Sequence, residues 1–239
     1  MRGLLVIVAL LPLTLSSCVP PNVEETSAAE AFAEARQKMV EEQIEGRGIS
    51  DLEVLSALAR VPRHRFVPQE YLSQAYEDHP LSIGYGQTIS QPYIVAMMTR
   101  SLELEAGEKV LEVGTGSGYQ AAILAEMTDQ VYTVEIVEPL QKQAASTLEE
   151  LGYRVHIRLG DGYYGWPEQA PFDAIIVTCA PDHVPQPLTQ QLKDGGRLVI
   201  PVGPPGCYQT LWLIERGGEQ FRSTNLGGVI FVPMLGEHQ

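Results

Sequence analysis

Short apolar runs alternate with segments of helical character through the middle of the chain. The runs are rich in β-branched and aliphatic residues, as buried strands are, and occupy residues 110–113, 131–134, 155–159, 172–177 and 197–202. Helix formers or apolar residues at helical spacing fill the intervals at residues 121–127, 139–151 and 187–192. Strands that alternate with helices build a parallel sheet. The pattern therefore predicts an α/β fold with a Rossmann-like, doubly wound, mostly parallel sheet.

Helical patterns precede this region, and a strand pair follows it. Residues 32–44 have helical spacing, and Ser50 with Glu53 forms a capping box that predicts a second helix. Pro92 suits the first turn of a third helix. A closing hairpin is predicted by two strand-like segments around a glycine pair, at residues 208–215, 217–218 and 221–232.

The chain opens on a targeting pattern. Arg2 precedes an apolar run over residues 4–15, which is shorter than the roughly 20 residues that span a bilayer. The run closes on LSSC, which resembles a bacterial lipobox, so we expect export and lipid anchoring at Cys18 in a bacterial envelope. The alternative is a true start at Met39 and a cytoplasmic protein. The predicted organisation is a leader, a tether and one domain, at residues 1–18, 19–30 and 31–239.

Composition and charge indicate which kinds of ligand the chain can bind. A hydrophobic content of 44% is ordinary for a globular protein, whereas a net charge of −14 without a Lys/Arg cluster argues against nucleic acid. An anionic substrate must then be held by local contacts. His64 has no histidine or cysteine at metal-ligand spacing, so we expect no metal and a structural or surface role for His64. Cys179 and Cys207 are interpreted as free thiols, with pairing left open for an exported protein.

A glycine-rich turn stands between the first predicted strand of the sheet and the helix that follows it. Gly114, Gly116 and Gly118 lie within five residues, and they let the backbone turn sharply and approach a ligand closely. The next strand ends on an acid, Glu135, about 20 residues after the turn, where a carboxylate can accept both ribose hydroxyls. Together these features indicate half of a nucleoside-binding α/β unit.

Two features favour S-adenosylmethionine over a dinucleotide. The spacing G-x-G-x-G leaves Tyr119 where a dinucleotide fingerprint has its third glycine. Glu112, at the mouth of the turn, would repel a diphosphate and attract an ammonium or a sulfonium. The alternative is an ordinary strand-to-helix turn with acids on the surface.

Two further stretches carry polar residues. Their spacing alone does not settle what role these residues have. In residues 87–92, QTISQP, a serine directly before a helix most often starts that helix, and physical reasoning alone favours this role for Ser90. In residues 160–162, GDG follows a predicted strand and either makes a tight turn or wraps an adenine edge.

Several motifs together resemble the protein-L-isoaspartate O-methyltransferase family, from about Met39 to the C-terminus and in the family's order. They are VPRHRFVP at 61–68, QTISQP at 87–92, EVGTGSGYQ at 112–120, GDG at 160–162, PFDAIIV at 171–177 and Gly203 after LVIPV. The resemblance implies a sheet of the class I methyltransferase type, S-adenosyl-L-methionine as cofactor, and methyl esterification of L-isoaspartyl α-carboxylates in damaged proteins, which starts their repair. It reverses the interpretation of Ser90, which becomes the family's catalytic serine, assisted by Thr88. The implied cofactor-binding residues are Glu112, Gly114, Thr115, Gly116, Ser117, Gly118, Glu135, Asp161 and Gly162.

The resemblance also implies the partners. These are isoaspartyl proteins and peptides, with the membrane reached only through the predicted anchor at Cys18, and the chain is expected to be a monomer. The leader is a departure from the family's pattern. Members of the family are usually cytosolic, and their cofactor is made in the cytosol. Rival hypotheses are a small-molecule methyltransferase, a lipid-anchored binding protein without catalysis, and an oxidoreductase, which Tyr119 and Glu112 disfavour.

Overall fold

The computed structural model of the chain describes residues 23–236. The predicted leader and Cys18 lie outside these residues, so export and anchoring stay predictions. Helix α1 (Val23–Lys38) includes part of the predicted tether, where helix-forming alanine and glutamate are frequent. A π-helical turn, Met39–Ile44, continues it. No helix in the described part of the chain is long and apolar enough to cross a membrane.

Helix α2 (Leu52–Arg60) corrects the predicted capping box. Its N-cap is Asp51, whose carboxylate accepts a hydrogen bond from the Val54 amide at 3.0 Å. Ser50 therefore precedes the cap by one residue, and a carboxylate serves the same purpose as the predicted hydroxyl.

His64 has a structural role, as predicted. It lies in a 3₁₀ turn, Arg63–Phe66, where its ring stacks on Phe32 at a centroid distance of 4.1 Å. Its Nδ1 and the Tyr76 hydroxyl share a hydrogen bond of 2.7 Å.

A small hairpin precedes the main sheet. Strand β1 (Leu81–Gly84) pairs antiparallel with β2 (Gln87–Ile89), so the QTISQP stretch starts as a strand. Helix α3 (Pro92–Leu102) follows directly, with Pro92 in its first turn as predicted. The residues between β2 and α3 are thus held between a sheet and a helix.

Seven strands form the main sheet. In chain order they are β3 (Lys109–Val113), β4 (Gln130–Glu135), β5 (His156–Leu159), β6 (Phe172–Val177), β7 (Leu192–Val202), β8 (Gln209–Gly217) and β9 (Gln220–Val229). Their order across the sheet is β5-β4-β3-β6-β7-β8-β9, and β8 and β9 are antiparallel to their neighbours. The prediction of a mostly parallel, doubly wound sheet with a closing hairpin is confirmed.

Strand β7 starts earlier than predicted. It pairs with β6 at Leu192 and again from Arg197, with an irregularity between these positions. Gly195 has a φ of 80° inside this irregularity, which is therefore a glycine-containing bulge within one strand.

Helices α4 (Tyr119–Ala125), α5 (Glu138–Glu150) and α6 (Gln186–Gln191) connect the parallel strands. Both faces of the sheet are covered, because Val110 and Leu111 of β3 belong to different clusters of buried apolar residues. A third cluster joins the N-terminal helices to α4 and the small hairpin. Since β3 and β6 are neighbours but far apart in sequence, the sheet changes winding direction between them. The carboxyl ends of β3, β4 and β6 are therefore the expected ligand edge.

Candidate active site

The glycine turn lies between β3 and α4, as predicted, and close packing explains its first glycine. Gly114 has a φ of 98°, and a Cβ there would lie 2.5 Å from Thr178 Oγ1. That hydroxyl donates a hydrogen bond to the Gly114 carbonyl at 2.7 Å. Gly116 and Gly118 also have positive φ, and Gly118 is the N-cap of α4. A Cβ on Gly118 would meet Leu148 of α5 at 3.2 Å, so this glycine serves helix packing.

Glu135 braces the glycine turn from the end of β4. Its side chain is buried, and its Oε2 accepts a hydrogen bond from the Gly116 amide at 2.8 Å. Its Oε1 accepts one from the Val137 amide at 2.9 Å. The carboxylate is thus fixed by two main-chain donors, and each oxygen keeps a lone pair for a ligand.

Glu112 is fully buried in the neighbouring strand. Its Oε2 accepts a hydrogen bond from Thr133 Oγ1 at 2.6 Å, and Thr133 shares another of 2.6 Å with Thr115. Its Oε1 is buried without a hydrogen-bond partner among the described residues. Burial raises the pKa of Glu112 to about 8; the Thr133 bond opposes this shift, and the nearby charge of Glu135 adds to it. Burial thus favours the protonated form of this carboxyl, whereas the predicted repulsion of a diphosphate requires the ionised form.

This protonation makes stability depend on pH. From about pH 5 to 8 the folded protein holds a proton that the unfolded chain, with a carboxyl pKa of 4.5, has released. Stability without added cofactor should therefore fall as pH rises, by up to about 1.4 kcal/mol per pH unit from Glu112. Glu112→Gln removes this dependence and should melt above the wild type at pH 8. Thermal unfolding of both proteins across this range measures it, and parallel pH profiles would contradict it.

A cleft opens at the carboxyl ends of β3, β4 and β6. Its walls include Gly114, Gly116, Glu135 and Gly162, and residues 232–235 close one side. A recess borders Gly114 and Gly116 as well. The recess joins the two predicted sets of site residues, because it is lined by Glu112, Thr115 and Ser117 and also by Thr88 and Ser90.

The structure does not support the role of Ser90 as a helix cap. The N-cap of α3 is Gln91, and no side chain of its own end caps this helix. Asp78 instead accepts hydrogen bonds from the Tyr93 amide at 3.1 Å and from Gln91 Nε2 at 2.7 Å. The half-buried Ser90 hydroxyl has no hydrogen bond to any residue in the described range. It is free to bind a ligand.

The GDG stretch makes a tight turn. The Asp161 side chain accepts a hydrogen bond from the Tyr163 amide at 2.9 Å, and the wall of the cleft includes Gly162 but not Asp161. A Cβ on Gly162 would lie 2.4 Å from Val113 Cγ1, so only glycine fits against β3. The predicted contact of Asp161 with the cofactor stays a prediction.

Sequence reasoning missed several residues of the site. Thr178 and Cys179 line the cleft directly after β6, where the strand-end rule points to ligand residues. Burial raises the pKa of the Cys179 thiol to about 12, so the thiol is neutral and not a nucleophile at ordinary pH. Met234 and Leu235 also line the cleft, and no motif marks them. In the described range, no group of three or more histidine, cysteine, aspartate or glutamate side chains is placed to hold a metal ion.

Comparison with known proteins identifies close relatives. The sequence model of the family Protein-L-isoaspartate(D-aspartate) O-methyltransferase (PCMT) matches residues 34–239. A protein-L-isoaspartate O-methyltransferase of Opitutus terrae is 58% identical, over 84% of this chain and 87% of the relative. Protein-L-isoaspartate O-methyltransferase 2 of Shewanella sediminis is 54% identical, over 88% of this chain and 87% of the relative.

Solved structures agree with the sequence relatives. A protein-L-isoaspartate O-methyltransferase superposes with a TM-score of 0.77 at 31% identity, over 85% of this chain and 67% of the other. A Plasmodium falciparum protein provisionally named as such an enzyme, in complex with S-adenosyl-L-homocysteine, superposes with a TM-score of 0.73 at 25% identity, over 84% of this chain and 98% of the other. The fold, the glycine turn and the extent of these matches lead to one conclusion: this chain belongs to the protein-L-isoaspartate O-methyltransferase family.

Proposed function

We propose that the chain transfers a methyl group from S-adenosyl-L-methionine to the α-carboxylate of L-isoaspartyl residues in damaged proteins, which initiates their repair to aspartate. One observation carries the assignment of roles. Thr88 and Ser90, from the motif that is most specific to the family, border the same recess as Glu112, Thr115 and Ser117 of the glycine turn. A donor held by the turn and an acceptor held by Ser90 would therefore meet in this recess.

The residues of the cleft fit the cofactor, which supplies a methyl group bound to a sulfonium. Glu135 keeps one lone pair on each oxygen, which suits two ribose hydroxyls. The Oε1 of Glu112, which has no hydrogen-bond partner in the described protein, can accept a hydrogen bond from an ammonium, whose positive charge would favour the ionised carboxylate. Gly162 borders the cleft and can lie against the adenine edge.

A separate groove that also borders Ser90 is available to the acceptor peptide. Thr88 and Ser90 line this groove together with Ile94 of α3 and residues 228–231, which include the last two residues of β9 and the two that follow it. Thr88 borders the groove, the recess and the cleft, so it stands where the three spaces meet. A side chain that enters from the groove would reach the recess past Ser90 and Thr88.

The chemistry requires positioning more than proton transfer. An α-carboxylate, with a pKa of about 4, is ionised at neutral pH, so no general base is needed. The enzyme must hold the carboxylate oxygen in line with the methyl carbon and the sulfur, with reacting atoms roughly 3–3.5 Å apart. Ser90 would donate a hydrogen bond to the carboxylate, and Thr88 would assist it. Neither acts as a nucleophile.

Methyl transfer to a matched pair of peptides tests the assignment. The peptides have one sequence and differ only in an aspartyl or an L-isoaspartyl linkage. With methyl-labelled cofactor we expect labelling of the isoaspartyl peptide and background labelling of its partner. Turnover of small acceptors without turnover of the isoaspartyl peptide would favour a small-molecule methyltransferase instead. Cofactor binding without any turnover would favour the non-catalytic binding protein.

A further inference from the structure

Arg63 is a fully buried cation directly behind the Ser90 loop. Its Nη2 donates a hydrogen bond to the Ser90 carbonyl at 2.8 Å, and its Nε donates one to the Ala75 carbonyl at 2.9 Å. The guanidinium carbon lies 4.8 Å from the centroid of the Tyr119 ring. Arg63 therefore connects the serine loop to the residue that begins α4, immediately after the glycine turn.

Within the described structure, this buried cation has no neighbouring carboxylate to neutralise its charge. Arg63 forms no ion pair with a carboxylate within residues 23–236, and its Nη1 is buried without a hydrogen-bond partner there. Asp78 contributes only a longer-range attraction and is itself paired with Arg47 at 2.6 Å. Burial lowers the pKa of Arg63, which reflects the electrostatic cost of the site. A buried charge without a neutralising carboxylate is costly even when two carbonyls and the Tyr119 ring contact it, so its presence calls for a functional reason.

The acceptor side of the site supplies such a reason. In the described chain, no lysine, arginine or histidine lines the cleft, the recess or the groove. An isoaspartyl carboxylate therefore enters a protein of net charge −14 without meeting a cation at the surface of the site. The charge of Arg63 acts through a protein interior of low dielectric, where it is weakly screened.

The separation between the Arg63 guanidinium and the acceptor carboxylate also suits the reaction. The carboxylate loses its charge as the methyl ester forms, so a cation in direct contact would stabilise the ground state more than the transition state. A cation one layer behind Ser90 attracts the carboxylate without forming such a pair. The contact with the Ser90 carbonyl also fixes the backbone that carries the hydroxyl.

We propose that Arg63 is a positioning residue for the methyl acceptor: it holds the main chain of Ser90 and supplies the positive charge that attracts the acceptor carboxylate to this hydroxyl. The inference rests on the proposed function, because it takes Ser90 as the residue that contacts the acceptor.

The test compares binding of the isoaspartyl peptide with that of the same peptide bearing an α-carboxamide in place of the α-carboxylate. The wild type should bind the carboxylate at least about tenfold more tightly. Arg63→Lys, which keeps the charge, should retain this preference. Arg63→Gln, which keeps donors but removes the charge, should abolish it, raise the KM for the isoaspartyl peptide about tenfold and leave the Kd of the cofactor unchanged. Arg63→Met, an apolar residue of similar length, replaces Arg63→Gln if the latter does not fold.

Arg197 offers a matched control at the other end of α3. Its Nη1 donates to the carbonyls of Leu102 and Glu103, at 2.6 and 3.1 Å, so Arg197→Gln removes the same kind of contact far from Ser90. We expect Arg197→Gln to lower the melting temperature and keep the preference for the carboxylate. A folded neutral variant at position 63 with the wild-type preference would overturn the proposal, and so would an equal loss in Arg197→Gln. Failure of the wild type to methylate the isoaspartyl peptide would instead refute the proposed function.

Discussion

Replacement of Glu135 by alanine is expected to raise the Kd of S-adenosyl-L-methionine about ten- to a hundredfold, because it removes charge-assisted hydrogen bonds to the ribose worth about 1.5–3 kcal/mol. The structure adds a second reason. Both carboxylate oxygens also accept hydrogen bonds from main-chain amides, those of Gly116 and Val137, so the variant loosens the glycine turn as well. Affinity should therefore fall together with a modest decrease in melting temperature. Calorimetric titration of cofactor and thermal unfolding measure the two effects.

Glu138 provides the control for this variant. It lies three residues later, in the first turn of α5, is exposed, and pairs with Lys142 instead of lining the cleft. Glu138→Ala should bind cofactor like the wild type, since an exposed ion pair contributes little. Unchanged affinity in Glu135→Ala would mean that the cofactor lies elsewhere. Equal losses in both variants would mean that the effect is general and not due to the ribose contact.

The sheet was predictable because its strands bury both faces. Short apolar runs that are separated by helical segments, such as residues 172–177, are predicted to be buried strands of a parallel sheet. The structure has a strand at Phe172–Val177. Local signals were less certain at the ends of elements. Ser50 and Asp51 are both good caps, and only the backbone conformation shows that Asp51 is the one that caps α2.

The neighbourhood of the glycine turn was predictable because it follows from local chain geometry. A glycine turn after a strand and an acid at the end of the next strand are brought together by parallel pairing of β3 and β4 alone. The protonation of Glu112 was not predictable in this way. It depends on complete burial by segments remote in sequence, which raises its pKa.

The surroundings of Ser90 depend on contacts over long sequence distances. Asp78 caps α3 from a loop before β1, and Arg63 reaches Ser90 from a turn that follows α2. No spacing rule connects these positions, so spacing alone favoured the helix-start role for Ser90. The family motif supplied the other interpretation, and the free hydroxyl between recess and groove agrees with it.

Replacement of Ser90 by alanine is expected to reduce kcat for an isoaspartyl peptide about ten- to a hundredfold. The variant removes one hydrogen bond to a charged group, worth about 1.5–3 kcal/mol. Stability should barely change, because the hydroxyl makes no hydrogen bond within the described protein and α3 is capped by Asp78. The Kd of the cofactor should stay constant, since Ser90 lines the groove proposed for the acceptor and does not line the cleft that contains Glu135. Single-turnover methylation, thermal unfolding and cofactor titration separate the three quantities.

Ser101 is the matched control, a half-buried serine near the other end of the same helix. Its hydroxyl donates a hydrogen bond to the Met97 carbonyl at 2.8 Å, away from the recess and the groove. Ser101→Ala should keep wild-type turnover and change stability by no more than about 1 kcal/mol. The opposite result for Ser90→Ala, a lower melting temperature with wild-type methylation of the isoaspartyl peptide, would return Ser90 to a structural role. In that case Thr88, which borders the recess and the groove as well, would be the remaining hydroxyl able to hold the acceptor carboxylate.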